Sequence, residues 1–139
     1  MPAEWIDVLY RRLPTIECKV LCTKACGPLF FSAAEGDRIR ERHGSVPLPN
    51  RDLTCSKLVD GRCSIYADRP LVCRLFGIVD RMRCPFGCKP VRIFPKKDTH
   101  RVMMLMLRHG GGVDGQAVGA VAEVCERLAG IDIEVRVEE

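Results

Sequence analysis

Apolar residues at Trp5, Ile6 and Leu9, with Leu13 one turn on, recur at helical spacing among charged neighbours over residues 3–12, and Pro14 closes the pattern. This predicts a short amphipathic helix. Leu29-Phe30-Phe31 is a brief apolar run and predicts a buried strand. Ser32-Ala33-Ala34-Glu35 has the form of a capping box, a hydroxyl at the cap and a carboxylate three residues on. A helix is therefore expected through about His43, with Gly44 as its stop. His43, among Arg40, Glu41 and Arg42, reads as a solvated histidine facing the helix dipole. Residues 45–52, with Pro47 and Pro49, read as a loop.

Asp60-Gly61 lies between segments 55–59 and 62–66 and predicts a hairpin that holds Cys55 and Cys63 on adjacent strands. Asp68 is placed to cap a short helix over about 69–76, with Pro70 near its start, where early amides lack intrahelical partners. The hairpin and this helix are expected to converge Cys55, Cys63 and Cys73. Cys84-Pro85-Phe86-Gly87-Cys88 reads as a rigid turn and 91–94 as a strand. The apolar run Val102–Leu107 makes a helix over about 98–109 apolar nearly all round, as a core helix is, with His100 and His109 solvated at its ends. After Gly110-Gly111-Gly112 a last helix, about 114–129, gathers Val118, Val121, Ala122, Cys125, Leu128 and Ala129 on one face. That makes Cys125 a small core hydrophobe and not a ligand. Residues 131–137 alternate strictly and predict a half-exposed strand.

The fold class that follows is α+β: one small domain with a cysteine-rich, metal-stabilised half of about 14–90, built of a hairpin and short helices. A helical pair and a strand complete it over about 96–139. A chain of 139 residues suits a single domain with a real core. No segment resembles a secretory signal, and the longest uninterrupted apolar run, six residues, falls far short of the ~18 that would suggest a membrane span. A cytoplasmic protein without a membrane partner is expected. In that compartment thiols stay reduced, and a cysteine pattern reads as metal-binding or catalytic.

Nine cysteines occur, an odd number that suits a disulfide scaffold poorly, and eight of them fall between Cys18 and Cys88. They form three groups: Cys18, Cys22 and Cys26 at C-x3-C-x3-C spacing; Cys55, Cys63 and Cys73; and Cys84 and Cys88. On a helix the first group would line one face. All eight are candidate metal ligands. The formal charge of +4 counts thiols as neutral. Eight thiolates on two zinc ions would add about −4, so the basic excess serves to neutralise a metal centre, and nucleic acid is not an expected partner.

The run Gly61-Arg-Cys63-Ser-Ile65-Tyr66-Ala-Asp-Arg69-Pro70-Leu-Val-Cys73-Arg74-Leu-Phe76, preceded by Cys55 and followed by Cys84-Pro85, resembles the signature of the YkgJ-type cysteine-cluster family. The resemblance spans about 18–88 and implies a zinc- or iron-chelating domain. The first cysteine group departs from the family pattern, which is often written CxxCxxCC.

Soft thiolates favour zinc or iron–sulfur clusters. Structural zinc sites usually use C-x2–4-C pairs, and this chain has no CxxC, whereas clusters accept cysteines from scattered loops. The family's description as iron–sulfur proteins, and a related cluster-bearing flagellin lysine methylase, point the same way. A 4Fe–4S cluster is thus favoured over zinc, and eight ligands would allow one centre of each. Arg69 and Arg74 are expected beside the centre, donating to sulfurs or offsetting thiolate charge. No P-loop, dinucleotide fingerprint or HExxH is present, and no histidine neighbours a cysteine in sequence. C-x3-C-x3-C is one residue from the C-x3-C-x2-C spacing of radical-SAM proteins, but the chain is too short for their barrel. Two roles remain: an iron–sulfur protein for electron transfer, sensing or cluster handling, and a zinc-stabilised interaction module.

Overall fold

The computed structural model describes residues 4–16, 29–79, 82–84 and 87–130. Its elements are α1 (Glu4–Arg11), α2 (Ala33–His43), β1 (Leu58–Val59), β2 (Arg62–Cys63), a 3-10 turn (Tyr66–Asp68), α3 (Leu71–Leu75), α4 (Lys96–His109) and α5 (Gly115–Ala129). The class is α+β, with five helices and one two-stranded antiparallel sheet among the described residues. The expected strand at 131–137 lies outside them.

Local chemistry explains most of these elements. In α1, Ile6 and Leu9 are buried, and Glu4 and Asp7 sit in the first turn, where the helix dipole favours acids. The capping box of α2 is complete: the Glu35 amide donates to Ser32 Oγ at 3.2 Å, and the Ser32 amide donates to Glu35 Oε1 at 3.2 Å. Gly44, at φ 83°, closes the helix by donating to the Arg40 carbonyl. Asp60 and Gly61 both take positive φ, 51° and 75°, which matches the strand twist in a tight hairpin and pairs Leu58 with Cys63.

Several expectations need correction. The strands of the hairpin are two residues each, and Cys55 pairs with Pro49 in an isolated bridge instead of joining β1. Asp68 does not cap α3. It closes the 3-10 turn, and Pro70 is the N-cap residue, without a side-chain cap. Residues 29–31 and 91–94 form no strand: Phe31 O accepts from Asp114 N, while Val91 N and Phe94 N donate to two different segments, at Thr15 O and Ile78 O, so no ladder is built. Helix α4 begins at Lys96 and buries only Val102 and Met106, while Met103 and Met104 are exposed, so it is not apolar-covered all round. On α5 the buried residues are Ala117 and Val124. The face carrying Val118, Cys125 and Leu128 points to solvent, and Cys125 is exposed, not a core residue.

Two apolar clusters hold these elements. The larger joins Ile6 and Leu9 of α1, Leu71 and Leu75 of α3, Ile78, Val79 and Phe94, and Val102 and Met106 of α4. The smaller joins Phe31, Ile39, Val46, Ile65 and Ala117. The supposed metal-dependent half therefore has large buried side chains of its own, and α4 packs on α1 and α3 instead of standing in a separate helical pair. The glycine turn between α4 and α5 receives the start of α2. Ala33 N donates to Gly112 O and Ala34 N to Gly110 O, and a Cβ on Gly110 would collide with Ser32 and the Met106 carbonyl.

Candidate metal centre

The hairpin register sets Cys63 opposite Leu58, and Cys55 lies at the mouth of the same turn, where its Sγ accepts from the Lys57 amide at 3.5 Å. Burial pushes the Cys55 thiol above its ordinary pKa, and the neighbouring Cys63 adds to this while the Lys57 amide and ammonium oppose it. Such a thiol is protonated at neutral pH and must lose its proton to ligate a metal. Cys63 is half-buried against the smaller cluster, on which Leu29 and Leu48 also pack.

Cys73 lies in the middle of α3, whose Leu71 and Leu75 are locked in the larger cluster. Gly77 follows at φ 89°. A Cβ built on it would press on Ile16 at 3.0 Å and approach the Cys84 Cβ at 3.9 Å. This glycine thus lets Ile16 and Cys84 close over the chain. Ile16 pairs with Pro90 in an isolated bridge, and Val91 N donates to Thr15 O, which ties residues 15–16 beside the buried Cys88 two positions before Pro90.

Cys18, Cys22, Cys26 and Pro85 lie outside the described residues. Among the described residues no three Cys, His, Asp or Glu side chains come together as a metal-holding group. The expected convergence of Cys55, Cys63 and Cys73 is therefore not met by those three alone. The reason is visible in the backbone: the 3-10 turn and Pro70 separate the hairpin from α3.

Arg69 and Arg74 are spent largely on the fold. The Arg69 guanidinium lies 4.0 Å from the centre of the Tyr66 ring, and its Nη1 donates to Tyr66 O at 2.8 Å. Arg74 stacks on Tyr10 at 3.7 Å, its Nε donates to Arg69 O at 2.7 Å and its Nη2 to Ala67 O at 2.8 Å. Arg74 thereby staples the turn 66–70 onto α3 and α1.

A second polar site was legible in the sequence only as a helix cap. Glu35 is 2% exposed. Its Oε1 accepts from the Ser32 amide and hydroxyl, and its Oε2 accepts from Tyr10 Oη at 2.6 Å and Leu71 N at 2.6 Å. One carboxylate thus joins α1, α2 and α3, and it supplies the α3 cap that Asp68 does not. Burial and the Glu35 charge raise the Tyr10 phenol far above its ordinary pKa, so it stays a neutral donor.

Asp68 instead ties the motif to the end of α2. Arg42 Nη1 donates to its Oδ1 at 2.5 Å, and His43 Nε2 lies 2.8 Å from its Oδ2. His43 is thus bonded across the fold and not merely solvated. Burial works against the charge of Asp68, but the His43 and Arg42 hydrogen bonds and the Arg42 and Arg38 charges outweigh it and hold its pKa low. Arg38, on the same helix, donates to Asp7 Oδ1 at 2.6 Å, while its Nε and Nη1 are buried without a partner among the described residues. Nonlocal partners of this kind leave no periodic trace in sequence.

Several non-cysteine positions of the run serve the fold: Ile65, Pro70, Leu71 and Leu75 are buried, and Tyr66, Asp68, Arg69 and Arg74 make stacking and polar contacts. No protein-family model, no curated protein and no solved structure matches the chain.

Proposed function

We propose that this chain binds metal through clustered cysteine thiolates and holds an iron–sulfur cluster of the 4Fe–4S kind, as its resemblance to the YkgJ-type family implies. The observation that carries this reading is the anchoring of the segment 17–28, which contains Cys18, Cys22 and Cys26. Its described flanks are Ile16, bridged to Pro90 beside Cys88 and packed at Gly77 near Cys84, and Leu29, packed in the cluster that includes Cys63. The described residues on either side of the first cysteine group thus pack near residues of the other two groups. The donor chemistry fits a soft metal, since thiolates select zinc or iron–sulfur centres over hard cations. Cys18, Cys22, Cys26, Cys55, Cys63, Cys73, Cys84 and Cys88 are the residues that would hold it. A bound cluster would supply one-electron chemistry for transfer, sensing or cluster handling.

Anaerobic purification followed by a visible spectrum and metal analysis tests the proposal. A brown protein absorbing near ~400 nm, with iron and sulfide, is expected of a cluster. A colourless protein with stoichiometric zinc would make the centre a structural brace for an interaction module. Protein without either metal would overturn the reading. Serine at Cys63 or Cys73 should lower the bound metal, whereas Cys125→Ala should leave it unchanged.

A further inference from the structure

Residues 89–108 contain six lysines and arginines and one acid, Asp98, whereas the remainder of the chain has sixteen basic and seventeen acidic residues. The whole positive excess of the protein is therefore concentrated in one twenty-residue stretch. Lys89, Arg92, Lys96, Lys97, Arg101 and Arg108 are all exposed. The ion pairs among the described residues are made by Arg38, Arg40, Arg42 and His43, and none by these six. The excess charge is thus not consumed by neighbouring carboxylates.

Apolar surface accompanies the charge. Val91 is 78% exposed and Ile93 44%. On α4, the exposed Met103 shares the side of Lys96 and Thr99, whereas Met104, Arg101 and Arg108 lie on the face opposite Val102 and Met106. Between Ile93 and α4 lies a groove of about 380 Å³ floored by Val79, Met82 and Phe94, with Lys96 at its rim. Thr99 also lines it, but its hydroxyl is bonded to Pro95 O, so the lining offers little polar competition.

We infer that this surface docks an acidic segment of a partner protein, which seats an apolar side chain in the groove and sets its carboxylates on Lys96 and the exposed basic residues next to it in the chain. Charge complementarity supplies attraction and orientation, and a concave apolar seat supplies the anchor that such interfaces need. A nucleic acid would use the charge but not the apolar groove, and the stretch exposes no Phe, Tyr or Trp on which bases could stack. A lipid surface would call for a protruding apolar ridge, whereas the feature here is a hollow. The inference does not depend on any metal.

The test uses the full chain and a fluorescein-labelled peptide of aspartates and glutamates carrying one leucine and one phenylalanine, followed by fluorescence anisotropy. Binding that weakens as salt is raised is expected. It should fall about tenfold or more in the double variant Lys96→Glu, Lys97→Glu and in Ile93→Asp, and by a similar factor when the peptide's two apolar residues are replaced by serine. The two lysines are exposed, so their variant keeps the test decisive even if Ile93→Asp fails to fold. Equal binding of the serine peptide would reduce the surface to undirected charge and overturn the inference. So would absence of peptide binding, or tighter binding to phosphatidylglycerol vesicles or to a DNA duplex with the same sensitivity to the lysine changes.

Discussion

The junction of α1, α2 and α3 and the cysteine-bearing loops beyond it are held by different means. At the junction, apolar packing surrounds a carboxylate that receives bonds from a phenol, a hydroxyl and two main-chain amides. Around Cys55, order comes from two-residue strands, an isolated bridge and short turns. The junction therefore has the packing to stand by itself, whereas the loops around Cys55 have less to hold them. Backbone that lacks an apolar face has little else to offset its lost conformational freedom.

The largest effect should come from the junction itself. Glu35→Ala strands the Tyr10 hydroxyl and the Leu71 amide in a buried site and should cost about 3–5 kcal/mol in denaturant unfolding. A loss below about 1 kcal/mol would show that the junction is held by packing alone. Leu75→Ala, which hollows the larger cluster, should cost about 2–5 kcal/mol.

Metal removal sharpens the contrast without touching the sequence. On chelation or cluster oxidation, hydrogen exchange should speed up over 49–63 and 84–90 while amides of α2 and α4 stay protected. Uniform loss of protection would merge the two regions into one metal-dependent unit.

Acid should act through the ion pairs at the ends of α2. For Asp114, burial opposes ionisation, but the Arg40 fork at 2.8 and 2.9 Å and the Ala117 and Gln116 amides hold its pKa down, as His43 and Arg42 do for Asp68. Both pKa values are lowered on folding. The stabilisation is thus fully present above the ordinary carboxylate pKa of about 3.9 and is lost as pH falls through the folded-state values. Asp114→Asn should flatten stability against pH in that acid window. A slope unchanged from the parent would sink the assignment. The smallest effect is expected at Cys125→Ser, within about 0.5 kcal/mol, because that thiol faces solvent.

What the sequence disclosed were features whose cause is local. Ser32 with Glu35, Gly44 and Asp60-Gly61 each fix a backbone turn through a near neighbour, and each is found as expected. The failures are of partnership. α5 carries two apolar stripes, and periodicity alone cannot say that Ala117 and Val124 face the core while Val118 and Leu128 do not. Phe30 and Val91 sit in strand-like runs, but among the described residues no ladder extends from either. At the site, the motif located Cys63 on the hairpin, yet Cys55 pairs with Pro49 outside it, and the separation of Cys73 depends on where Pro70 starts α3.

The bond from Leu71 N to Glu35, spanning 36 positions, has a bearing on assembly order. A helix of five residues has almost no stability in isolation, because nucleation consumes most of its length. α3 must therefore wait for a distant segment to close a long loop and supply its cap. Cys73, in the middle of α3, is accordingly set in place only when that helix docks on residues both far upstream and downstream of it.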